Sequence, residues 1–327
     1  MDISTKFMGH NINSPIIAGS CGKTLSADNI KILEDKGIGA VVLKSLFEEQ
    51  ISQEISNNIR MIQNAGEMYE AFTYISEHTK RDTIDKYLEV IRKVKESVHI
   101  PVIASINCVS ASEWIQFASD IQQAGADGLE LNMFIMPANI NMSNEDVERV
   151  YEDTVQILRR VVTLPISLKI SYYSASLAKF CQKLSWMGIA NLSVFNRFMV
   201  HDVDIDTLTV KPADIFSSPS ELYQTIRWTA ILSKLVNCPL TSGGGVHNVE
   251  DIVKLLLVGA NTVQVASVLY EDGFDFIQKT NSFLKEWMER KGCSKLSDFR
   301  GRLAIDKNDT ASAFYRVQYM KYYAGIE

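Results

Sequence analysis

Short apolar runs rich in β-branched residues recur along the chain, each followed by a turn and an amphipathic pattern. Eight are legible: PIIAG (15–19), IGAVVLK (38–44), PVIASI (101–106), GLELN (128–132), PISLKIS (165–171), IANLSVF (189–195), CPLTS (238–242) and NTVQVAS (261–267). Several are apolar at nearly every position, which suits strands covered on both faces by crossover helices. Eight strand-then-helix units without a break in composition predict one α/β domain, a (β/α)8 barrel of the TIM type.

The intervening segments carry helix signals. SASE (Ser110 to Glu113) and SPSE (Ser218 to Glu221) read as capping boxes. Trp114, Ala118 and Ile121, and then Leu222, Ile226 and Ala230, form stripes that pack a helix on a sheet. Residues 1–290 are expected to form the barrel, and 291–327, with DFRGRLA and FYRVQYMKYY, an extension packed against it. Two connections, 45–79 after strand two and 196–219 after strand six, are too long for turns. Both leave the C-terminal ends of strands, where long segments act as lids or substrate walls.

Composition narrows the function. A net charge of -6 without a basic stripe argues against nucleic acid as a partner. The five cysteines are widely spaced, and the five histidines show no metal-type pairing. No basic-then-apolar leader opens the sequence and no run approaches 18 apolar residues, so a cytoplasmic location and no membrane contact are expected.

In a barrel the active face is built at strand C-termini. Strand two ends in Lys44, strand three is followed by Asn107, strand four ends in Asn132, strand five carries Lys169, and strand six is followed by Asn196. These are donors with no carboxylate or histidine among them, a set suited to an anionic or carbonyl-rich ligand. Lys169, flanked by Leu168 and Ile170 in a strand whose inward positions are hard to wet, is a charge that needs a partner. After strand seven, Gly243 to Gly245 free backbone N–H groups to approach an anion, and Ser267 after strand eight adds a hydroxyl. The usual barrel phosphate site lies at these two loops. No G-x-G-x-x-G follows the first strand. Barrel, phosphate cradle and a lysine beside the ring edge of a ligand point to FMN.

With these residues in place, the sequence resembles the dihydroorotate dehydrogenase family from about Ile3 to Gly273. The likeness is carried by NSPIIAGSCG, GAVVLKS, LELN, PISLKI and SGGGVHNVEDIVKLLLVGANTVQVASVLYEDG. It implies FMN bound by Ala18, Ser20, Lys44, Ser45, Asn107, Asn132, Lys169, Gly244, Gly245, Ala266 and Ser267. It further implies that Lys44, Asn132 and Asn196 reach the substrate, that the electron acceptor is small and soluble, and that the protein is a homodimer.

Three features depart from the family. Its strand-four loop carries a Cys or Ser base, where this chain has Met133, Phe134, Ile135 and Met136, none of which can take a proton. The substrate loop is reduced to one matching candidate, Asn64, in NAGEMYEAFTY, and Arg197 follows Asn196 in place of a small hydroxyl residue. Another base then has to come from Cys108, Cys21 or Tyr173, or the proton goes to water, or the protein binds FMN with little turnover. Cys108 joins the catalytic set on the first of these readings. A different chemistry also stays open, a barrel aldolase using Lys169 or Lys44 as Schiff-base nucleophile.

Overall fold

The computed structural model describes residues 1–63, 69–107, 111–133, 135–136, 138–197, 200–306 and 311–324. Among these, eight parallel strands close into a ring: β1 (Ile16–Ala18), β2 (Ala40–Val42), β3 (Val102–Asn107), β4 (Gly128–Asn132), β5 (Ile166–Ile170), β6 (Asn191–Val194), β7 (Leu240–Gly243) and β8 (Thr262–Val265). β8 against β1 closes it, with Val263 opposite Ile16 and Val265 opposite Ala18. The fold is therefore the (β/α)8 barrel that the eight apolar runs predict. Ile103, Leu129, Leu131, Leu168, Ile170 and Val263 are fully buried, as strands shielded on both faces require.

A hairpin precedes the barrel, Thr5–Phe7 paired antiparallel with His10–Ile12. Phe7, Met8 and Ile12 pack on Ile17, Ala40, Val42 and Ile103, near the starts of β1, β2 and β3. The hairpin thus stoppers the N-terminal end of the barrel, opposite the end where chemistry is expected.

The connection at 45–79 is not a simple loop. Leu46–Phe47 adds to the edge of β3, helix Glu48–Gln63 follows, and a second helix runs Tyr69–Ser97. In the first helix Ile51 is buried and Ile55 partly so. The candidate Asn64 lies outside the described residues. In the 196–219 connection, His201–Asp204 pairs with Thr209–Pro212 in an exposed antiparallel hairpin.

The SPSE box forms only in half. Glu221 accepts the Ser218 backbone N–H at 2.9 Å, but the Ser218 hydroxyl lies 2.7 Å from that of Ser220, the residue that caps helix Glu221–Leu232. Ser110, the first residue of the SASE box, lies outside the described residues. Beyond Arg290 the chain returns to the barrel helices: the N–H groups of Gly301, Leu303 and Ile305 donate to the carbonyls of Leu256, Leu257 and Ala230. Phe299 is buried, its ring 4.8 Å from that of Trp287. Helix Ala311–Tyr323 leaves Val317, Tyr319, Met320 and Tyr322 exposed. Among the described residues, no helix is long and apolar enough to cross a membrane.

One carboxylate ties the outer helices together. Partial burial raises the pKa of Glu34, but the Lys31 ammonium at 2.7 Å and the His99 and Ile100 N–H groups outweigh it and leave the carboxyl below its ordinary value. A lowered folded-state pKa means that the stabilisation is present above the unfolded carboxyl range and is lost as pH falls through the folded one. Chemical denaturation of Glu34→Gln should accordingly show a smaller loss of stability on acidification than the parent chain.

Candidate active site

The glycine loop after β7 is built for close approach. Gly244 and Gly245 have φ of +98° and +75°, in the left-handed region that side chains disfavour. A Cβ on Gly243 would stand 2.8 Å from the Gln264 carbonyl oxygen, and one on Gly245 would stand 2.2 Å from the Leu222 nitrogen. The Thr225 hydroxyl fixes the loop from behind, donating to the Gly243 carbonyl at 3.2 Å. The loop opens on a cavity at the C-terminal rim that is also bordered by Ser20, Lys169, Asn196, Ala266 and Ser267. The lysine of strand five and the triple glycine of strand seven therefore share one cavity.

Beneath that cavity runs a polar chain through the barrel interior. Ser20 Oγ lies 3.0 Å from Ser45 Oγ, which lies 2.7 Å from Ser105 Oγ. Asn132 donates to Ser45 at 3.3 Å and accepts from the Asn196 amide at 2.6 Å, so the two asparagines orient each other. Ser105 reaches Glu130 Oε1 at 3.5 Å, and Gln264 donates to Glu130 Oε2 at 3.0 Å. The Lys169 ammonium stands 3.8 Å from Glu130 Oε1. That is an ion pair too long for a hydrogen bond, and no other hydrogen bond to the ammonium is present among the described residues. Its donors are left for whatever occupies the cavity.

The expectation of a rim without a carboxylate is thus corrected: Glu130 is the partner that Lys169 needs, fully buried on β4 two residues before Asn132. Glu130 does not end its strand and so was not among the rim residues singled out. In a closed barrel, alternate residues point into the interior, and Glu130 and Asn132 share that side.

The other residues singled out are less concentrated. Lys44 borders a neighbouring cleft with Leu25, Ser45 and Tyr87. Asn107 is buried at the end of β3 opposite Phe47, and Ala18 is buried at the end of β1. Cys108 lies outside the described residues. Cys21 sits on the loop after β1 near the Tyr270 hydroxyl, whose pKa is raised first by burial and then by Cys21. Tyr173 pairs its hydroxyl with that of Tyr172 at 3.4 Å, and the Tyr172 phenol is pushed up to about 12, chiefly by this contact and then by burial.

In the strand-four loop, Met133 is buried with its carbonyl accepting the Tyr151 hydroxyl at 3.2 Å, Ile135 packs on the core, and Met136 is exposed. Phe134 and Pro137 lie outside the described residues. None of the three described side chains can carry a proton. Arg197 borders the cavity with its guanidinium engaged by protein groups: Nε meets both Glu221 oxygens at 3.2 Å, while the two terminal nitrogens donate to Ile215 and Asp214 carbonyls at 2.9 Å. It pins the long 196–219 connection against helix Glu221–Leu232.

Another unforeseen group stands behind Ser267. His247 Nδ1 is 2.8 Å from Glu271 Oε2, its Nε2 is 3.2 Å from Ser217 Oγ, and Ser217 Oγ is 3.1 Å from Ser267 Oγ. No local spacing announces this set, because Ser217 and Glu271 lie 30 and 24 residues from His247.

Comparison with known proteins agrees with the fold. The chain is 22% identical over 309 residues to the catalytic subunit of dihydroorotate dehydrogenase B (NAD(+)) of Pyrococcus furiosus, covering 92% of this chain and 98% of the relative. It is 21% identical over 324 residues to dihydroorotate dehydrogenase A (fumarate) of Lactococcus lactis, covering 92% and 99%. To dihydroorotate dehydrogenase (fumarate) of Lachancea kluyveri it is 23% identical over 328 residues, covering 92% and 98%. The family model described as dihydroorotate dehydrogenase matches residues 2–288, nearly the whole barrel, and the chain belongs to that family.

Proposed function

We propose that the protein is an FMN-dependent oxidoreductase that oxidises a dihydropyrimidine of the dihydroorotate type. The observation that carries this is the shared cavity of Lys169 and the triple glycine. The residues present fit the cofactor: a phosphate needs the close backbone approach that Gly244 and Gly245 permit, and an electron-rich ring edge needs an ammonium such as that of Lys169, whose donors are unspent. Bound FMN would supply a hydride acceptor. Ser20, Lys169, Gly244, Gly245, Ala266 and Ser267 are the residues to hold it, with Ala18, Lys44, Ser45, Asn107 and Asn132 along the ring system. Asn132 and Asn196, which fix each other's amides, present hydrogen-bonding edges to a carbonyl-rich substrate.

The alkyl loop of Met133, Ile135 and Met136 favours a substrate whose proton leaves by a route other than that loop, to water or to Cys108. The aldolase reading is weakened by Glu130. A Schiff-base lysine must turn its nitrogen on a carbonyl, and that of Lys169 faces a buried carboxylate at 3.8 Å.

The test is anaerobic. The purified protein should be yellow, release FMN on denaturation, and bleach when dihydroorotate or a related dihydropyrimidine is added. A colourless protein that borohydride traps with a carbonyl ligand would establish the aldolase instead, and bound FMN that no member of the panel reduces would leave a flavin-binding protein. A small soluble acceptor should then restore the colour. A homodimer, the assembly expected with that acceptor, is checked by light scattering.

A further inference from the structure

We propose that Glu130 sets the electron affinity of the bound cofactor: its carboxylate offsets part of the Lys169 charge that the cavity feels, while leaving the ammonium hydrogens for the ligand. The identity of that ligand as FMN rests on the function proposed above. The placement of the two charges does not.

The cavity meets only one half of the ion pair. Lys169 borders it and is partly exposed, whereas Glu130 has no exposed surface and is absent from the cavity walls. At 3.8 Å the two attract as charges without sharing a hydrogen bond. A closer carboxylate would take up one of the three ammonium hydrogens and turn the group away from the ligand. Glu130 is instead tethered from two other strands: Gln264 of β8 donates to its Oε2 at 3.0 Å, and Ser105 of β3 to its Oε1 at 3.5 Å.

The other charge on the cavity wall is already spent. Arg197 is engaged by Glu221 and by two carbonyls, and among the described residues lining the cavity none is acidic. The field inside is therefore set by Lys169 and by the buried carboxylate paired with it.

Two-electron reduction adds negative charge to a flavin, and a positive charge close to the ring favours it. Offsetting part of that positive charge disfavours it. Glu130 thus holds the potential below the value that Lys169 alone would give, which keeps the reduced cofactor able to pass its electrons to a small acceptor. Stability does not by itself call for the pair, since a buried ion pair is often worth no more than apolar packing of similar volume. Glu130 acts from behind the cavity wall and is a positioning residue.

The test is anaerobic titration of bound FMN against a reference dye in the parent, Glu130→Gln and Glu130→Asp, with the dissociation constants of oxidised and reduced FMN measured on the same proteins. In Glu130→Gln the ratio of reduced to oxidised FMN at a fixed dye potential should rise ~10-fold, the order that one unit charge exerts across ~10 Å at an effective dielectric of about 20. For a two-electron couple that is a shift of about +30 mV. Glu130→Asp keeps the charge but draws it back by one methylene, so it should shift the same way by less, and it decides the matter should Glu130→Gln not fold. The gain should appear as tighter binding of reduced FMN, with oxidised FMN little changed. A site that had merely loosened would weaken both. A ratio unchanged or lowered in the variants, with FMN bound, would overturn the role of Glu130 and leave the flavin reading intact. Failure of the parent protein to bind FMN would overturn the flavin reading and this inference with it.

Discussion

Gly245→Ala should cost ~2–5 kcal/mol of stability and empty the cradle, since left-handed strain at a side-chain-bearing residue is worth ~1–2 kcal/mol and overpacking a further ~1–3 kcal/mol. The added methyl would press on the backbone nitrogen of Leu222 at 2.2 Å and on its Cα at 2.8 Å. Neither is the end of a flexible side chain. Both belong to the first turn of helix Glu221–Leu232, which Thr225 ties to the glycine loop and Arg197 ties to the long connection through Glu221. Relief therefore requires the helix to back away from the loop, which widens the cradle as it relaxes.

Gly125 provides the control. Its φ is +91°, but nothing lies within 4 Å of the position where its Cβ would stand, so Gly125→Ala carries the strain without the collision. Urea denaturation of the two variants separates the contributions, and flavin content reports on the cradle. Equal losses in both would mean that helix and loop do not approach as described.

The contrast between what the sequence discloses and what it hides follows from the range of each interaction. The barrel was legible because a parallel strand covered on both faces must be apolar at nearly every position, and runs such as GAVVLK and PISLKI announce this within six residues. The glycine loop was legible for a similar reason, since three consecutive glycines are a local statement about the backbone. The helix Glu48–Gln63 was legible in the same way, since Ile51, Ile55, Ile59 and Ile62 recur at helical spacing amid charged and amide residues, although it was passed over as part of a long connection.

Long-range polar pairing was the least legible. Glu130, Lys169 and Gln264 each look like a single polar residue in an apolar strand, and only closure of the barrel brings β4, β5 and β8 around one interior. Three isolated polar residues in three buried strands were a signal in themselves: each would be prohibitively costly alone, so they had to find one another. His247 carried no such signal, since its partners arrive from the connection after β6 and from the short helix Val268–Glu271 after β8.

Lys169→Met should destabilise the protein more than the loss of one surface charge could, by ~3–5 kcal/mol in the general case of a buried ion pair broken from one side. Methionine keeps most of the stem, so the loss is electrostatic rather than a cavity. Glu130, with no exposed surface, would retain only the Gln264 amide at 3.0 Å and the Ser105 hydroxyl at 3.5 Å. Lys169 itself is 13% exposed to the cavity, and water entering there softens the penalty toward the lower end of that range.

The double variant Glu130→Gln/Lys169→Met removes both charges and leaves an amide that Gln264 and Ser105 can still satisfy. Replacing a buried pair as a unit is close to neutral, so the double variant should be more stable than Lys169→Met alone. FMN affinity should not recover with it, because the ammonium that meets the ring is missing from both. Denaturation and flavin titration on the parent, Lys169→Met, Glu130→Gln and the double variant therefore separate the two duties of Lys169. Losses that simply add across the cycle would show that Glu130 and Lys169 do not share a charge balance, and recovery of flavin binding in the double variant would show that the ammonium acts on the ligand only through the protein.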